Sequence, residues 1–239
     1  MASIQAKTIP APGQLPNVRH DALRVFNVLK AGGVAILPSE VGYAIFASSA
    51  DAIERAFAAK QRKAGHSVGI IGTYDLHRGL HVLDDKRFEM TRVLTQDLDM
   101  PLIIVAPYRD DHPILKNTTP QTLAKASKNG TIAMYVGGGS LLTELCKLNE
   151  AAGQLVVGSS ANVSGKGQKF RVQNIEQEVL DVADIIVNYG LQRYHIYGQA
   201  STSMDFENMR VIRKGSCYEL LQERINKFWG IDLEKDETK

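Results

Sequence analysis

The sequence predicts a single α/β domain in which helices cover most of a central sheet. Short β-branched and apolar runs alternate with segments of helical spacing from about residue 20 onward, and this alternation is typical of the class. No internal repeat and no Gly/Ser-rich linker marks a domain boundary. The predicted strands are residues 34–37, 68–71, 102–105, 132–136, 155–157, 185–187 and 211–213, and the predicted helices include residues 22–31 and 177–182.

The composition is that of an ordinary globular protein. Of the 239 residues, 44% are hydrophobic and 23% are charged, which excludes general disorder and a fibrous protein. Lys and Arg number 28 against 26 Asp and Glu. The resulting net charge of +2 indicates no general affinity for nucleic acid, so any anion site must be local.

Membrane and secretion features are missing from the sequence. Apolar runs such as residues 102–106 are too short to span a bilayer, and residues 1–14 hold no apolar core of a secretory signal. The two cysteines, Cys146 and Cys217, are too few for a disulfide framework or a cysteine zinc site. We therefore expect a cytoplasmic protein with no membrane partner.

A basic pair follows the second predicted helix. Asp51 is placed to cap this helix, and Ile53 and Ala56 begin an apolar stripe that includes Lys60. A lysine on an inward stripe must reach water or meet an anion, because an unpaired buried ammonium is costly. Lys60 and Arg62 are therefore candidates to converge on one anion, and the alternative is a solvated basic helix end.

Two further polar segments are candidates for binding phosphate. Residues 158–165 (GSSANVSG) follow an apolar run, and such a segment can bring backbone N–H groups and hydroxyls close to an anion. It lacks the spacing of a Walker loop or a dinucleotide fingerprint, and a plain turn explains it equally well. Residues 201–215 form a candidate hairpin that places Ser201, Thr202 and Arg213 on one edge, and the alternative is a solvated edge hairpin.

A histidine pair resembles part of a metal site. His77 and His81 are four residues apart and precede Asp84 and Asp85, but no third ligand is indicated. We expect a surface histidine pair, and the sequence identifies no metal ligand.

Taken in order, four segments resemble the YrdC-like family of L-threonylcarbamoyl-AMP synthases. Residues 38–45 (PSEVGYAI) are similar to the family's P-T-D/E-T-x-Y-G-L, and residues 60–62 (KQR) with His66 are similar to its K-x-R and histidine. Residues 160–165 (SANVSG) match S-A-N-x-S-G in full. Residues 201–205 (STSMD) and 213–215 (RKG) are similar to S-T-x-x-D and R-x-G.

The resemblance implies a fold and an activity. The fold would be an open, twisted mixed sheet flanked by helices, with a large concave pocket. Family members use ATP, Mg²⁺, bicarbonate and L-threonine to form an adenylated carbamate, which is later transferred to adenosine in tRNA. The family domain would cover residues 20–216, after an N-terminal extension at 1–19 and before a C-terminal helix and frayed tail at 217–239.

The resemblance also assigns residues to the two ends of the substrate site, with no protein nucleophile or base. The implied nucleotide-binding residues are Lys60, Arg62, Ser160, Asn162 and Arg213. The implied residues at the amino-acid end are Ser39, His66, Tyr135 and Ser201.

Departures from the family pattern concentrate at the amino-acid end. Val41 and Ile103 stand where the family has threonines, and Tyr135 stands near the arginine of a V-x-V-R-x-P strand. A tyrosine cannot supply a bidentate, permanently charged clamp for a carboxylate. We therefore expect an acceptor other than threonine, unless Lys125 or Arg193 replaces the arginine.

Two functions remain open. The first is an adenylate-forming enzyme that uses ATP and bicarbonate with an altered acid or amino-acid acceptor. The second is a non-catalytic relative that binds double-stranded RNA or serves as a scaffold. The ordered set of basic and hydroxyl residues favours the enzyme, because an RNA surface needs charge but not this order, and the small net charge weakens the RNA hypothesis.

Overall fold

The computed structural model describes residues 3–62 and 67–233. Within these ranges no helix is long and apolar enough to cross a membrane. The helices are α1 (Ile4–Lys7), α2 (Val18–Lys30), α3 (Ala50–Ala59), α4 (Tyr74–Leu80), α5 (Asp85–Arg92), α6 (Pro113–Lys116), α7 (Pro120–Ala126), α8 (Ser140–Ala151), α9 (Gln177–Val182) and α10 (Tyr218–Trp229). The strands are β1 (Thr8–Ile9), β2 (Ala35–Ser39), β3 (Gly42–Ala47), β4 (Gly69–Ile71), β5 (Leu102–Pro107), β6 (Ser127–Lys128), β7 (Thr131–Val136), β8 (Val157–Ser160), β9 (Ile185–Val187), β10 (Thr202–Asp205) and β11 (Arg210–Arg213).

The strands form one mixed sheet. Their order is β1-β9-β2-β3-β8-β4-β7-β5-β10-β11, with β6 paired to β7. The pairs β1–β9, β2–β9, β4–β7 and β5–β10 are parallel, and the hairpins β2–β3 and β10–β11 are antiparallel. The predicted α/β fold with a mixed sheet flanked by helices is confirmed.

Helices cover the two faces of the sheet to different extents. One face packs in a continuous core against helices that include α3, α4, α9 and α10. The other face packs against α2 and α8. Among the described residues, none from β5, β10 or β11 belongs to this second core, so this part of the face is left uncovered.

A row of side chains crosses the uncovered part of the sheet. Strand register pairs Ile71 with Tyr135 and Tyr135 with Ile103. It then pairs Ile103 with Ser203 and Ser203 with Arg213. Because partners in register point to the same face, these five side chains lie side by side although they come from five strands.

Strand β8 differs from its prediction. We expected a strand at residues 155–157 followed by a turn, whereas β8 covers Val157–Ser160 because these residues pair with β3. Strand β3 itself was not predicted. A Cβ on Gly158 would lie 2.4 Å from the Phe46 ring, so a glycine is required there. Ser159 and Ser160 are therefore strand residues rather than parts of a loop.

The interpretation of Lys60 as inward-facing is confirmed. Ser49, rather than Asp51, caps α3, because its Oγ accepts a hydrogen bond from Ala52 N at 3.3 Å. Ile53 is buried in the core, and Lys60 is only 2% exposed. The alternative of a solvated helix end is wrong for Lys60.

The predicted hairpin at 201–215 is present as β10 and β11. At its turn, the backbone N–H groups of Glu207 and Asn208 donate to Asp205 Oδ1 at 3.0 and 3.1 Å. The bond from Thr202 Oγ1 to Ser216 O, at 3.0 Å, joins the hairpin to the segment after it. Because β11 ends the strand order, Arg213 lies at an edge of the sheet.

The terminal segments contact the main body. At the N-terminus, β1 pairs with β9, and Lys7 Nζ donates to Ala183 O at 2.6 Å. At the C-terminus, α10 buries Leu221 and Ile225 in the core. Residues 234–239, predicted as a frayed tail, lie outside the described residues.

The expectation of a surface histidine pair is wrong. His77 and His81 are both fully buried, with their Nδ1 atoms 2.7 Å apart. His77 Nε2 lies 2.9 Å from Thr91 Oγ1, and His81 Nε2 lies 3.2 Å from Ile132 O. The i, i+4 face of α4 points inward because it packs against β7 and the Phe88 ring. Burial lowers the pKa of both imidazoles.

Candidate functional site

A cavity of about 590 Å³ lies on the part of the sheet that α2 and α8 leave uncovered. The row from Ile71 to Arg213 contributes to its lining. Six residues that the sequence analysis assigned to the site also line it, namely Ser39, Arg62, Tyr135, Ser160, Ser201 and Arg213. Strand register therefore brings together side chains that are up to 174 positions apart in the chain.

Arg62 forms one end of the cavity. Gln61 adopts a left-handed conformation with φ 51° at the end of α3. The Arg62 guanidinium donates from Nη1 to Ser159 Oγ and from Nη2 to Ser67 O, each at 2.8 Å, while Nε is buried without a partner among the described residues. It also stacks 5.2 Å from the Phe57 ring centroid. Burial lowers the pKa of Arg62.

Arg213 lies at the opposite, exposed rim of the cavity. Its Nε and Nη2 donate to Ser201 O at 3.1 and 2.8 Å, so the two sides of the hairpin hold the guanidinium in place. Desolvation lowers the pKa of Arg213. Nη1 makes no protein hydrogen bond within the described ranges and remains available to a ligand.

The described lining of the cavity carries a net positive charge. Among residues 3–62 and 67–233, no carboxylate lies within 4 Å of Arg62 or Arg213, and none lines the cavity. Two cations near low-dielectric walls create a positive potential, which an anionic ligand neutralises. The arrangement is therefore suited to a phosphate-bearing ligand.

Lys60 lies behind the cavity wall. Its Nζ donates to Ser160 O and, at 2.7 Å, to Asn162 O, while its carbonyl accepts from Ser164 N at 2.9 Å. Burial, and secondarily the charge of Arg62, lowers the pKa of Lys60 to about 8. Asn162 also points away from the cavity, since its Nδ2 donates to Val163 O at 2.7 Å. Contact of either side chain with a phosphate stays a prediction.

We expect Lys60→Met to lower the free energy of unfolding by about 1–3 kcal/mol, because two carbonyl oxygens lose a charged donor. Denaturation in urea measures this loss. The matched control is Lys125→Met, since Lys125 forms a partly exposed ion pair with Glu54 at 2.7 Å and such pairs contribute about 1 kcal/mol or less. Equal stability of the two variants would contradict a structural role for Lys60.

Three neutral hydroxyl groups lie together in the cavity. Tyr135 Oη is shielded from solvent and makes no hydrogen bond of ordinary geometry to a described residue, although Ser39 and Ser201 lie close enough to lower its pKa. Burial raises the pKa of Tyr135 and keeps the phenol neutral. Ser39 Oγ donates to Gly42 O at 2.7 Å. His66, predicted at this end, lies outside the described residues.

Comparison with known protein families identifies the chain. A model of the Sua5/YciO/YrdC family, described as telomere recombination, matches residues 27–215. The chain belongs to this family. No curated protein matches it in sequence.

Solved structures of related fold agree with this assignment. A hypothetical protein, smu.1377c, from Streptococcus mutans UA159 is 21% identical, with a TM-score of 0.72 over 94% of this chain and 96% of that one. A variant of P. abyssi Sua5 is 19% identical, with a TM-score of 0.70 over 92% of this chain. P. abyssi Sua5 in complex with L-threonine is 20% identical, with a TM-score of 0.67 over 89% of this chain. The chain spans 62% and 58% of the two Sua5 chains.

Neither basic residue considered as a substitute for the family's arginine lines the cavity. Lys125 pairs with Glu54 at 2.7 Å. Arg193 is half exposed and pairs with Asp99 at 2.9 Å and Glu40 at 3.7 Å. Within the part of the chain that the structure describes, the charged residues of the lining are therefore Arg62 and Arg213.

The residues of the cavity do not form a divalent-metal site. No group of three histidine, cysteine or acidic side chains in the described ranges is arranged to hold a metal ion. Mg²⁺ prefers carboxylate and phosphate oxygens, and the described lining supplies no carboxylate. The lining thus offers no protein ligand set that fits the Mg²⁺ implied by the resemblance.

The sequence analysis assigned no individual role to several residues of the lining, although Ser159 lies in the candidate segment 158–165. Ser159 contacts Arg62, and Gln168 Nε2 donates to Tyr43 O at 3.0 Å beside the cavity. Ser203 is two residues from Ser201, and the alternation of a strand could have placed both on one face. Phe46 was missed because β3 was not predicted, and its place depends on Gly158 of the neighbouring strand.

Proposed function

We propose that the chain is an ATP-dependent adenylate-forming enzyme. The observation that carries the proposal is the pair Arg62 and Arg213, two cations that line one cavity without a carboxylate partner among the described residues. Family membership supports it, as does the fold shared with a Sua5 protein that was solved in complex with L-threonine. The proposed substrates are ATP, bicarbonate and an amino-acid-like acceptor.

The proposed reaction is an in-line displacement at phosphorus. A carbamate or carboxylate oxygen forms a bond to the α-phosphorus of ATP, and the bond from that phosphorus to the bridging oxygen of pyrophosphate breaks. The electron pair leaves with pyrophosphate, so the displacement itself needs no protein base. Where the attacking acid is a carbamate, it forms beforehand from the amine and bicarbonate with loss of water and a proton. Such displacements depend on positioning and charge neutralisation, which this lining supplies without a nucleophile.

Arg62, Arg213 and Ser160 have roles in this reaction. Arg62 Nε and Arg213 Nη1 carry donors that no described protein group uses, and they would neutralise phosphate oxygens. Ser160 lies on β8 between Lys60 and the cavity, because its carbonyl accepts from Lys60 Nζ. Lys60 would thereby position Ser160. Asn162 would position the segment that follows Ser160.

The acceptor is proposed to differ from threonine. The three departures from the family pattern, Val41, Ile103 and Tyr135, all line the cavity. Two lost hydroxyls and a lost cation make this end more apolar and neutral, and a substrate carboxylate would lack the charged, bidentate partner that an arginine supplies. A more apolar or uncharged acceptor suits the site better.

Pyrophosphate release is expected only when a suitable acceptor and bicarbonate accompany ATP, because an oxyanion must attack the α-phosphorus. A coupled pyrophosphate assay over amino acids and neutral amines tests this, with omission of bicarbonate as the control. Fastest turnover with threonine would overturn the altered acceptor. Absence of turnover together with tight binding of double-stranded RNA would favour the non-catalytic alternative.

A further inference from the structure

Among the described residues, the Tyr135 hydroxyl has no hydrogen-bond partner of ordinary geometry, although Ser39 and Ser201 lie beside it. Its oxygen is shielded from solvent, while the ring lines the cavity. A buried hydroxyl without a partner is destabilising, and native proteins leave few such groups unsatisfied. A ligand group that bonds to this hydroxyl would remove that destabilisation.

The neighbouring hydroxyls define which chemistry the ligand must present. We call Ser39, Tyr135 and Ser201 the hydroxyl cluster. The Ser39 proton is committed to Gly42 O at 2.7 Å, so Ser39 Oγ can only accept. Tyr135 Oη makes no hydrogen bond of ordinary geometry to a described residue, and Ser201, whose backbone carbonyl is held by Arg213, lies beside it with its own hydroxyl. The cluster therefore offers two donors and one acceptor.

We propose that the hydroxyl cluster binds an uncharged carboxamide, with its carbonyl oxygen on Tyr135 and Ser201 and its N–H on Ser39. This inference rests on the proposed function and specifies its acceptor as an amide-bearing amine rather than a free amino acid. Two donors match the two lone pairs of a carbonyl oxygen, and the single acceptor matches an amide N–H.

A carboxylate fits the hydroxyl cluster poorly. The cluster contains no cation, and a carboxylate has no proton to donate to Ser39. Glu40 lies close enough to raise the pKa of Tyr135 by its charge, so a second negative charge would be repelled. Ile71 and Ile103 flank Tyr135 in the row, and apolar neighbours disfavour an unpaired charge.

A matched pair of ligands tests the proposal. L-threonine and L-threoninamide have nearly the same shape and differ in the charge of one group. We expect calorimetry to show at least about 10-fold tighter binding of the amide, both alone and with a non-hydrolysable ATP analogue. Equal or tighter binding of threonine would overturn the inference. Failure of the ATP analogue to bind would instead count against the proposed function, since the preference for the amide is measured without nucleotide.

Two variants test whether Tyr135 causes the preference for the amide over the carboxylate. Tyr135→Phe should weaken amide binding about 3- to 10-fold, the loss of one hydrogen bond. Tyr135→Arg should reverse the preference, since arginine binds carboxylates in a bidentate manner. Tyr189→Phe is the control, because the Tyr189 hydroxyl bonds to Asp21 at 2.7 Å and lies outside the cavity. Unchanged amide affinity in Tyr135→Phe would overturn the proposal even if the arginine variant did not fold.

Discussion

Removal of either cavity arginine is expected to weaken ATP binding about 10- to 100-fold. A hydrogen bond to a charged group contributes on the order of 1.5–3 kcal/mol, and each 1.4 kcal/mol is about tenfold in affinity. Arg62→Ala and Arg213→Ala each remove one of the two cations of the lining. The other described residues of the lining are uncharged. Calorimetric titration with ATP measures the loss for each variant.

Arg193→Ala is the matched control for this experiment. Arg193 is a half-exposed arginine paired with Asp99 and Glu40, and it does not line the cavity. Its removal is therefore expected to leave ATP affinity within about twofold of the original, because exposed ion pairs contribute little. If both cavity variants bound ATP as the unsubstituted protein does, the nucleotide site would be misplaced.

Acidification from pH 7 to pH 5 is expected to lower the free energy of unfolding by up to about 4 kcal/mol through His77 and His81. Burial, aided at His77 by the charge of His81, lowers the pKa of both imidazoles in the folded state. In the unfolded chain they titrate near the usual value of about 6.5. The unfolded state therefore takes up protons below that pH and the folded state does not. The contribution of the two histidines to the free energy of unfolding is fully present above about pH 6.5 and is lost as the pH falls.

Urea denaturation at pH 7 and pH 5 measures this effect. Burial raises the pKa of Glu40 and Glu150, which opposes the loss on acidification, so the comparison between variants is decisive. The double variant His77→Gln, His81→Gln should lose most of the pH dependence, whereas His20→Gln, at an exposed position, should keep it. The same pH dependence in the double variant and the unsubstituted protein would contradict the assignment.

Local periodicity was sufficient to predict much of the fold. Strand β9 and helix α9 have their predicted bounds, and the hairpin at 201–215 follows from turn residues beside apolar runs. The inward position of Lys60 follows from its place on the stripe of α3. These features depend on spacing along one element, which the sequence displays directly.

The sequence by itself determined the α/β class, the family and six of the residues that line the cavity, because motifs and local periods depend on residues that are close together in the chain. The tertiary structure decided what those residues contact. It buried the His77–His81 pair, directed Lys60 at the carbonyls of Ser160 and Asn162, and left Tyr135 Oη without a hydrogen bond of ordinary geometry to a described residue. The physical reason is that contacts across the sheet depend on strand order and register between distant segments, where a shift of one residue moves a side chain to the opposite face.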